Sequence, residues 1–317
     1  MNAPMDGGPQ LETVAWPGSY GEQAKPRMGF FTDTSVCIGC KACEVACKEW
    51  NQIPMRSGPH SLTFTGKSYD NTIDLGADTW RHVAFVEQKA PARVVDELPV
   101  DVTDGASLVE SAARAEVIDG GVQTYQEADG FRWLMASDVC KHCTHAACLD
   151  VCPTGALFRT EYGTVVVQED VCNGCGYCVP ACPFGVLDQR EGDGRVWKCT
   201  LCYDRLKDDK EPACAQACPT NSIQFGELSE LHERADHRLA HLQQAGQDKA
   251  QLYLADAEDG IGGAGAFFLL LDEPEMYGLP PDPVDTRRDL GGIWAAAGAA
   301  AVALGIGLTA AVFGGRR

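Results

Sequence analysis

Positive charge is scarce in this chain of 317 residues. Lysine and arginine number 26 against 45 aspartates and glutamates, a formal charge of −19. Such a chain lacks the clustered cations that grip phosphates, which argues against nucleic acid as a partner. No phosphate-binding glycine loop, no G-x-S-x-G elbow and no nucleophile–base pair is visible, so no active-site constellation is expected. Residues 1 to about 30 hold neither an apolar h-region nor a twin arginine, and no export signal is expected there. What the chain does have is a normal share of core-forming residues. Hydrophobic residues make up 45% and charged residues 22%, which excludes a wholly disordered or collagen-like protein.

The sixteen cysteines carry the chemistry. They fall into four groups of four with none left over. Cys37, Cys40, Cys43 and Cys47 read C-x2-C-x2-C-x3-C, and Cys172, Cys175, Cys178 and Cys182 repeat that spacing. Cys140, Cys143, Cys148 and Cys152 read C-x2-C-x4-C-x3-C. Cys199, Cys202, Cys214 and Cys218 read C-x2-C-x11-C-x3-C. Proline follows the last cysteine in three groups, as Pro153, Pro183 and Pro219, while Lys48 takes that place in the first.

A [4Fe–4S] cubane needs one thiolate on each of four irons. A tight loop can wrap three corners, and the cysteine three residues further on points away, toward a second cluster. Disulfides fit this pattern poorly, because C-x2-C-x2-C pairs badly at such short range. Structural zinc explains two C-x2-C pairs but not a triplet followed by x3-C-P. Four cubanes use every cysteine. Nineteen residues separate Cys152 from Cys172, which suggests that the second and third groups form one two-cluster unit inside another built by the first and fourth. Adjacent pairing of the third and fourth groups stays open, since Cys182 and Cys199 are also close in sequence.

Strand-like runs recur around these loops: Val83 to Val86, Phe131 to Met135, and the β-branched stretch Val165 to Val167. Short strands are expected after each Cys-Pro pair, at Ala156 to Phe158, Val186 to Leu187 and Ile223 to Phe225. Nine acidic residues and only Arg114 as a base lie between Asp96 and Asp129, which reads as a solvated insertion. Residues 227–252 read as a polar amphipathic helix whose His232, His237 and His241 belong at the surface. His142 and His145 lie within the second cysteine group, where four thiolates already fill the corners, so they read as supporting donors or exposed residues. Ile38, Val45, Tyr177, Phe184 and Leu201 are expected to shield the clusters. Lys41, Lys141 and Lys198 beside cysteines either moderate cluster charge or are simply exposed. From Leu290 to Gly315 there is no charged residue. Its core, Ile293 to Phe313, spans about 31 Å as a helix, one bilayer crossing. Trp294 lies near one end as an interface anchor, and Ala301 and Gly305 make a small-xxx-small pair suited to helix packing.

The complete pattern resembles the β (iron–sulfur) subunit of membrane-bound respiratory formate dehydrogenase, of the N and O type. Its carriers are CIGCKACEVACKEWN at 37–51, VCKHCTHAACLDVCPTGAL at 139–157, VCNGCGYCVPACPFGV at 171–186, KCTLCYDRL at 198–206 and EPACAQACPT at 211–220. These identify the wider class of electron-transfer subunits of molybdopterin oxidoreductases; YGLPPDP at 277–283 and the terminal helix narrow it to the formate dehydrogenase branch. The acidic insertion is longer than that family usually has. The resemblance implies nested ligation. Cys37, Cys40, Cys43 and Cys218 would hold one cluster, and Cys47, Cys199, Cys202 and Cys214 its neighbour. Cys140, Cys143, Cys148 and Cys182 would hold a third, and Cys152, Cys172, Cys175 and Cys178 the fourth. A nitrate reductase β subunit usually has tryptophan for one cysteine and a three-iron cluster; this chain does not.

The fold class expected is thus α+β, with tandem two-cluster ferredoxin-like units, nested cysteine pairing and one C-terminal transmembrane helix. The expected divisions are an arm at 1–30, a four-cluster domain at 31–226 with its acidic insertion at about 90–130, a helical and extended segment at 227–286, and the membrane helix at 287–317. The resemblance implies a non-catalytic subunit in anaerobic respiration. It would take electrons from a molybdenum or tungsten formate-oxidising subunit and pass them to a membrane cytochrome b or quinone-linked subunit. It would be single-pass in the inner membrane, with the clusters outside; the residues themselves leave the orientation, and a cytoplasmic cluster domain, open, since Arg287 and Arg288 flank one end of the helix and Arg316 and Arg317 the other. The alternative is the iron–sulfur subunit of a hydrogenase or a sulfur-compound reductase.

Overall fold

The computed structural model describes residues 23–55, 72–89, 131–285 and 290–314. The acidic insertion and most of the N-terminal arm lie outside them. In sequence order the main elements are β1 (Met28–Asp33), α1 (Ala42–Trp50), β2 (Arg81–Lys89), β3 (Phe131–Val139), α2 (Ala147–Asp150), β4 (Leu157–Arg159) and β5 (Val165–Val167). There follow α3 (Cys178–Ala181), β6 (Asp188–Gln189), β7 (Val196–Trp197), α4 (Tyr203–Lys207), α5 (Ala213–Gln216), β8 (Ile223–Glu227), α6 (Leu228–Gln244), β9 (Gln251–Tyr253), β10 (Ala266–Leu270) and α7 (Leu290–Gly314).

The largest sheet among the described residues has four strands, in the order β8-β1-β10-β9. Side chains alternate faces along a strand, so the sheet sorts its own residues into two cores. Phe30 and Ala266, partners across β1 and β10, face the core that holds the cysteine loops. Phe31 and Phe267, the next pair, stack at 5.3 Å in the core beneath α6. That helix buries Leu228, Leu231, Ala235 and Leu242, which recur on one face at helical spacing. Gly29 permits the close approach of β1 to the 265 backbone, because a Cβ there would overlap the Gly265 carbonyl. The stretch after residue 227 therefore shares the sheet of the cysteine-bearing domain, through β9 and β10.

Two details differ from the sequence expectation. The strand after Pro183 is β6 at Asp188–Gln189, just beyond Val186 and Leu187, which instead are buried in the core. The polar helix stops at Gln244, where Gly246 with φ +85° turns the polypeptide toward β9. α7 is 25 residues long and its apolar window is 0% buried, so it packs on nothing among the described residues. Its Thr309 hydroxyl donates back to the carbonyls of Gly305 and Ile306 at 3.0 and 2.9 Å, so the helix carries its polar side chain already partnered.

Candidate functional site

None of the sixteen cysteines is in a disulfide, and the strand pairings decide which of them meet. β1 runs toward Cys37 through a short 3-10 turn at Thr34–Val36, and β8 starts just after Cys218. The two strands are antiparallel, with Thr32 opposite Ile223, so Cys37 and Cys218 come out at the same end. The hairpin of β4 and β5 does the same for Cys152 and Cys172, with Leu157 opposite Val167. α1, which carries Cys43 and Cys47, packs against α5, which carries Cys214. α2, with Cys148, packs against α3, with Cys178.

Four neighbourhoods result. Cys37, Cys40, Cys43 and Cys218 line one small pocket. The Cys47 thiol is pushed well up by burial and then by Cys199, Cys214 and Cys202 beside it. Cys143 is pushed up by burial, then by Cys140, Cys148 and Cys182. Burial raises Cys178 to about 11, with Cys152, Cys172 and Cys175 adding to it. Burial likewise drives Cys43 and Cys202 to about 11, and Cys148 and Cys199 to about 12. These thiols hold their protons at neutral pH, so metal must displace them, and loading the sites releases protons. Cys152 is the exception. Burial pushes it up, but hydrogen bonds from the Leu157 backbone, the Thr154 side chain and backbone, and the Ala156 backbone outweigh that and lower it.

Backbone geometry repeats across the loops. The residue before the second cysteine of the leading C-x-x-C in each group is left-handed: Gly39 at φ +64°, His142 at +45°, Gly174 at +71° and Leu201 at +56°. Such turns point successive N–H groups into a concavity that favours negative charge, a construction common at iron–sulfur sites. The Leu201 N–H donates to the Cys199 sulfur at 3.3 Å. The Asn51 amide lies 3.7 Å from the Cys47 sulfur and 3.9 Å from that of Cys202, tying two groups together. Thiols in sets of four, with N–H groups turned on their sulfurs, are a donor set that fits [4Fe–4S] clusters. Among the described residues no group of His, Cys, Asp and Glu is arranged to hold a single metal ion.

The surroundings correct several expectations. Lys141 and Lys198 are each only 1% exposed, which removes the reading of them as surface residues. Lys141 bonds Asp138 and lies 5.1 Å from the rings of both Phe184 and Phe268. It favours the charged forms of Cys143 and Cys182, and Lys198 does so for Cys148. Lys41 pairs with Glu44 at 3.4 Å. Leu201 is fully buried and Phe184 partly so, as a shield requires, but Ile38, Val45 and Tyr177 are exposed in this chain. His142 is buried and accepts from the Val165 N–H at 3.0 Å; burial holds its ring well below the usual histidine range, hence neutral. His145 is exposed, as is His237 on α6, whereas His232 stacks on Phe267 at 4.2 Å. Ser137 touches the Cys43 sulfur, Asn51 lies near those of Cys47 and Cys202, and Arg81 bonds Ser137. Only Asn51, inside the first motif, had a sequence signal.

Comparison with known proteins agrees with this donor set. Residues 131–228 match a 4Fe-4S dicluster domain and residues 34–50 a 4Fe-4S binding domain. The formate dehydrogenase iron–sulfur subunit of Haemophilus influenzae is 35% identical over 271 residues, covering 84% of this chain and 73% of that protein. The nitrate-inducible formate dehydrogenase iron–sulfur subunit of Escherichia coli is 36% identical over 279 residues, 86% of this chain and 80% of its own length. The B component of the Escherichia coli anaerobic dimethyl sulfoxide reductase is 31% identical over 206 residues, 65% of this chain and 76% of its own length. With its 4Fe-4S domains, its cysteine-lined sites and this extent of identity, the protein belongs to the family of formate dehydrogenase iron–sulfur subunits.

Proposed function

We propose that this chain is the electron-transfer subunit of a membrane-bound formate dehydrogenase, holding four [4Fe–4S] clusters in nested ligand sets. When bound, the clusters supply reversible one-electron uptake and release. Cys37, Cys40, Cys43 and Cys218 hold one, Cys47, Cys199, Cys202 and Cys214 the next, Cys140, Cys143, Cys148 and Cys182 a third, and Cys152, Cys172, Cys175 and Cys178 the fourth. The observation that carries this reading is the company of each last cysteine. Cys47 lies among three thiols of the fourth group, and Cys182 beside those of the second. The left-handed loops and the buried Lys141 and Lys198 balance negative charge, and Leu201 and Phe184 keep water out. Cys199 lies close enough to Cys140 for its charge to act on it, so the two proposed cluster pairs adjoin there.

The chain carries no catalytic group of its own. A molybdopterin subunit oxidises formate, and a cytochrome b or quinone-linked membrane subunit receives the electrons. α7 crosses the inner membrane once beside that subunit, and the clusters lie outside. The formate dehydrogenase relatives cover 83–86% of the chain and the dimethyl sulfoxide reductase relative 65%, which favours formate over a sulfur-compound reductase. Anaerobic analysis of the purified chain should give about sixteen irons and sixteen acid-labile sulfides, from four complete thiolate sets. Eight or fewer in folded protein would rule out four cubanes. Formate-dependent reduction of the clusters in the purified complex tests the partner.

A further inference from the structure

Arg81 is the largest fully buried side chain of the described residues, at 2% exposure. Its Nη1 donates to the Ser137 hydroxyl at 3.1 Å and to the Ser137 carbonyl at 3.2 Å. Its Nε and Nη2 are buried without a hydrogen-bond partner. No carboxylate among the described residues pairs with it, and its guanidinium lies over the Phe30 ring at 4.8 Å. A guanidinium keeps its charge at every accessible pH, and a buried, uncompensated one is strongly destabilising. Something anionic must face it.

The surroundings identify that anion. The Ser137 hydroxyl that receives Arg81 also touches the Cys43 sulfur at 3.2 Å. Cys43 belongs to α1, and one turn further along the same helix lies Cys47; α1 packs on α5, which carries Cys214, and Cys199 lies near enough to Cys47 for its charge to act on it. Burial disfavours the charge of Arg81, and negatively charged sulfurs at Cys214, Cys43, Cys199 and Cys47 would oppose that cost. On the ligand sets proposed above, these four cysteines divide between two clusters. Cys43 serves one, and Cys47, Cys199 and Cys214 serve its neighbour.

We propose that Arg81 is a positioning residue of electron transfer: a fixed cation shared by these two neighbouring cluster sites, which raises the reduction potential of both. Each reduction adds one electron to one site, with no bond made or broken, so the reduced form carries one more negative charge. A buried cation between the sites favours that form, because the low-dielectric interior screens it little. Lys141 and Lys198 stand near the second-group thiols, but each is already bonded to backbone carbonyls, and Lys141 also to Asp138. Of these three cations, only Arg81 leaves nitrogens free for the clusters.

This inference rests on the four-cluster reading, and the test separates the two. Iron and sulfide are first measured on the intact wild-type chain; fewer than four clusters there defeats the reading itself, whatever Arg81 does. Potentiometric titration followed by electron paramagnetic resonance then compares wild type with Arg81→Met, Arg81→Gln and Arg81→Lys. The neutral variants should lower the reduced-to-oxidised ratio at least tenfold at two of the four clusters, about 59 mV for a one-electron couple. Arg81→Lys should restore most of it, and the other two clusters should not move. If the neutral variants fail to load iron, Arg81→Lys should still load, since the cation is what matters. Unchanged potentials, an equal fall at all four clusters, a fall at one alone, or Arg81→Lys behaving like Arg81→Met would each overturn the assignment.

Discussion

Gly39→Ala tests whether the cysteine loops depend on their left-handed turn. Gly39 lies between Cys37 and Cys40 with φ +64°. Two costs follow for any side chain there. The first is conformational: an L-residue in this region costs about 1–2 kcal/mol. The second is steric. A Cβ would lie 2.6 Å from the Met135 sulfur and 2.6 Å from the Phe85 ring, both on the β2–β3 ribbon beside the loop. Forcing such neighbours aside costs about 1–3 kcal/mol more. Gly155 offers the control, since it has φ +67° but nothing within 4 Å of its Cβ. Gly155→Ala should therefore show the conformational cost alone, and Gly39→Ala about 2–5 kcal/mol in total. Iron-loaded chains carrying each change would be melted anaerobically, and iron retained after mild heating measured beside the melting temperature. The midpoint is used comparatively, because a cofactor-bearing protein need not unfold in two states. Gly39→Ala should melt lower than Gly155→Ala and lose iron first. Equal melting and equal iron retention in the two variants would refute the steric half of this reasoning.

Three further outcomes are expected. Cys47→Ser should perturb the cluster sharing Cys199, Cys202 and Cys214, leaving about twelve irons if that cluster is lost; loss of the signal built by Cys37, Cys40 and Cys43 instead would reverse the pairing. Deleting residues 290–317 should free the protein from the membrane subunit with full iron content, so that formate-to-dye activity survives and formate-to-quinone activity falls; a collapse of iron content would make α7 part of the cluster fold. His232 is held below its ordinary pKa by burial, Asp236 partly opposing and Arg27 adding to the effect. Its contribution is fully present above about pH 6.5 and is lost as pH falls from there toward the folded value, by no more than ~1.4 kcal/mol per unit. The drop in melting temperature between pH 7.5 and 5.5 should therefore be smaller in His232→Phe, and an unaltered drop would remove His232 as its source.

The sixteen cysteines, their spacing and the uncharged terminal stretch are visible in the sequence because each is a local pattern. A C-x-x-C triplet states its ligand type within a few residues, and a membrane-length helix needs nothing outside itself. The strands at Val83, Phe131 and Val165 were legible for the same reason. What spacing could not state is which groups meet, since adjacent and nested arrangements use the same local loops. The antiparallel course of β1 and β8 brings Cys37 to Cys218, and the packing of α1 on α5 brings Cys47 to Cys214, contacts that link residues far apart in the sequence. Leu201 and His142 take the turn position filled by glycine in the other two loops. The sequence disguised that shared backbone, which burial, the Val165 and Gly265 bonds to His142 and the Leu201 bond to the Cys199 sulfur hold in place. Lys141, Lys198 and Arg81 look like surface cations by type, because isolated charges are rarely buried. Tertiary packing buried all three near thiols, where low dielectric makes a positive charge count most.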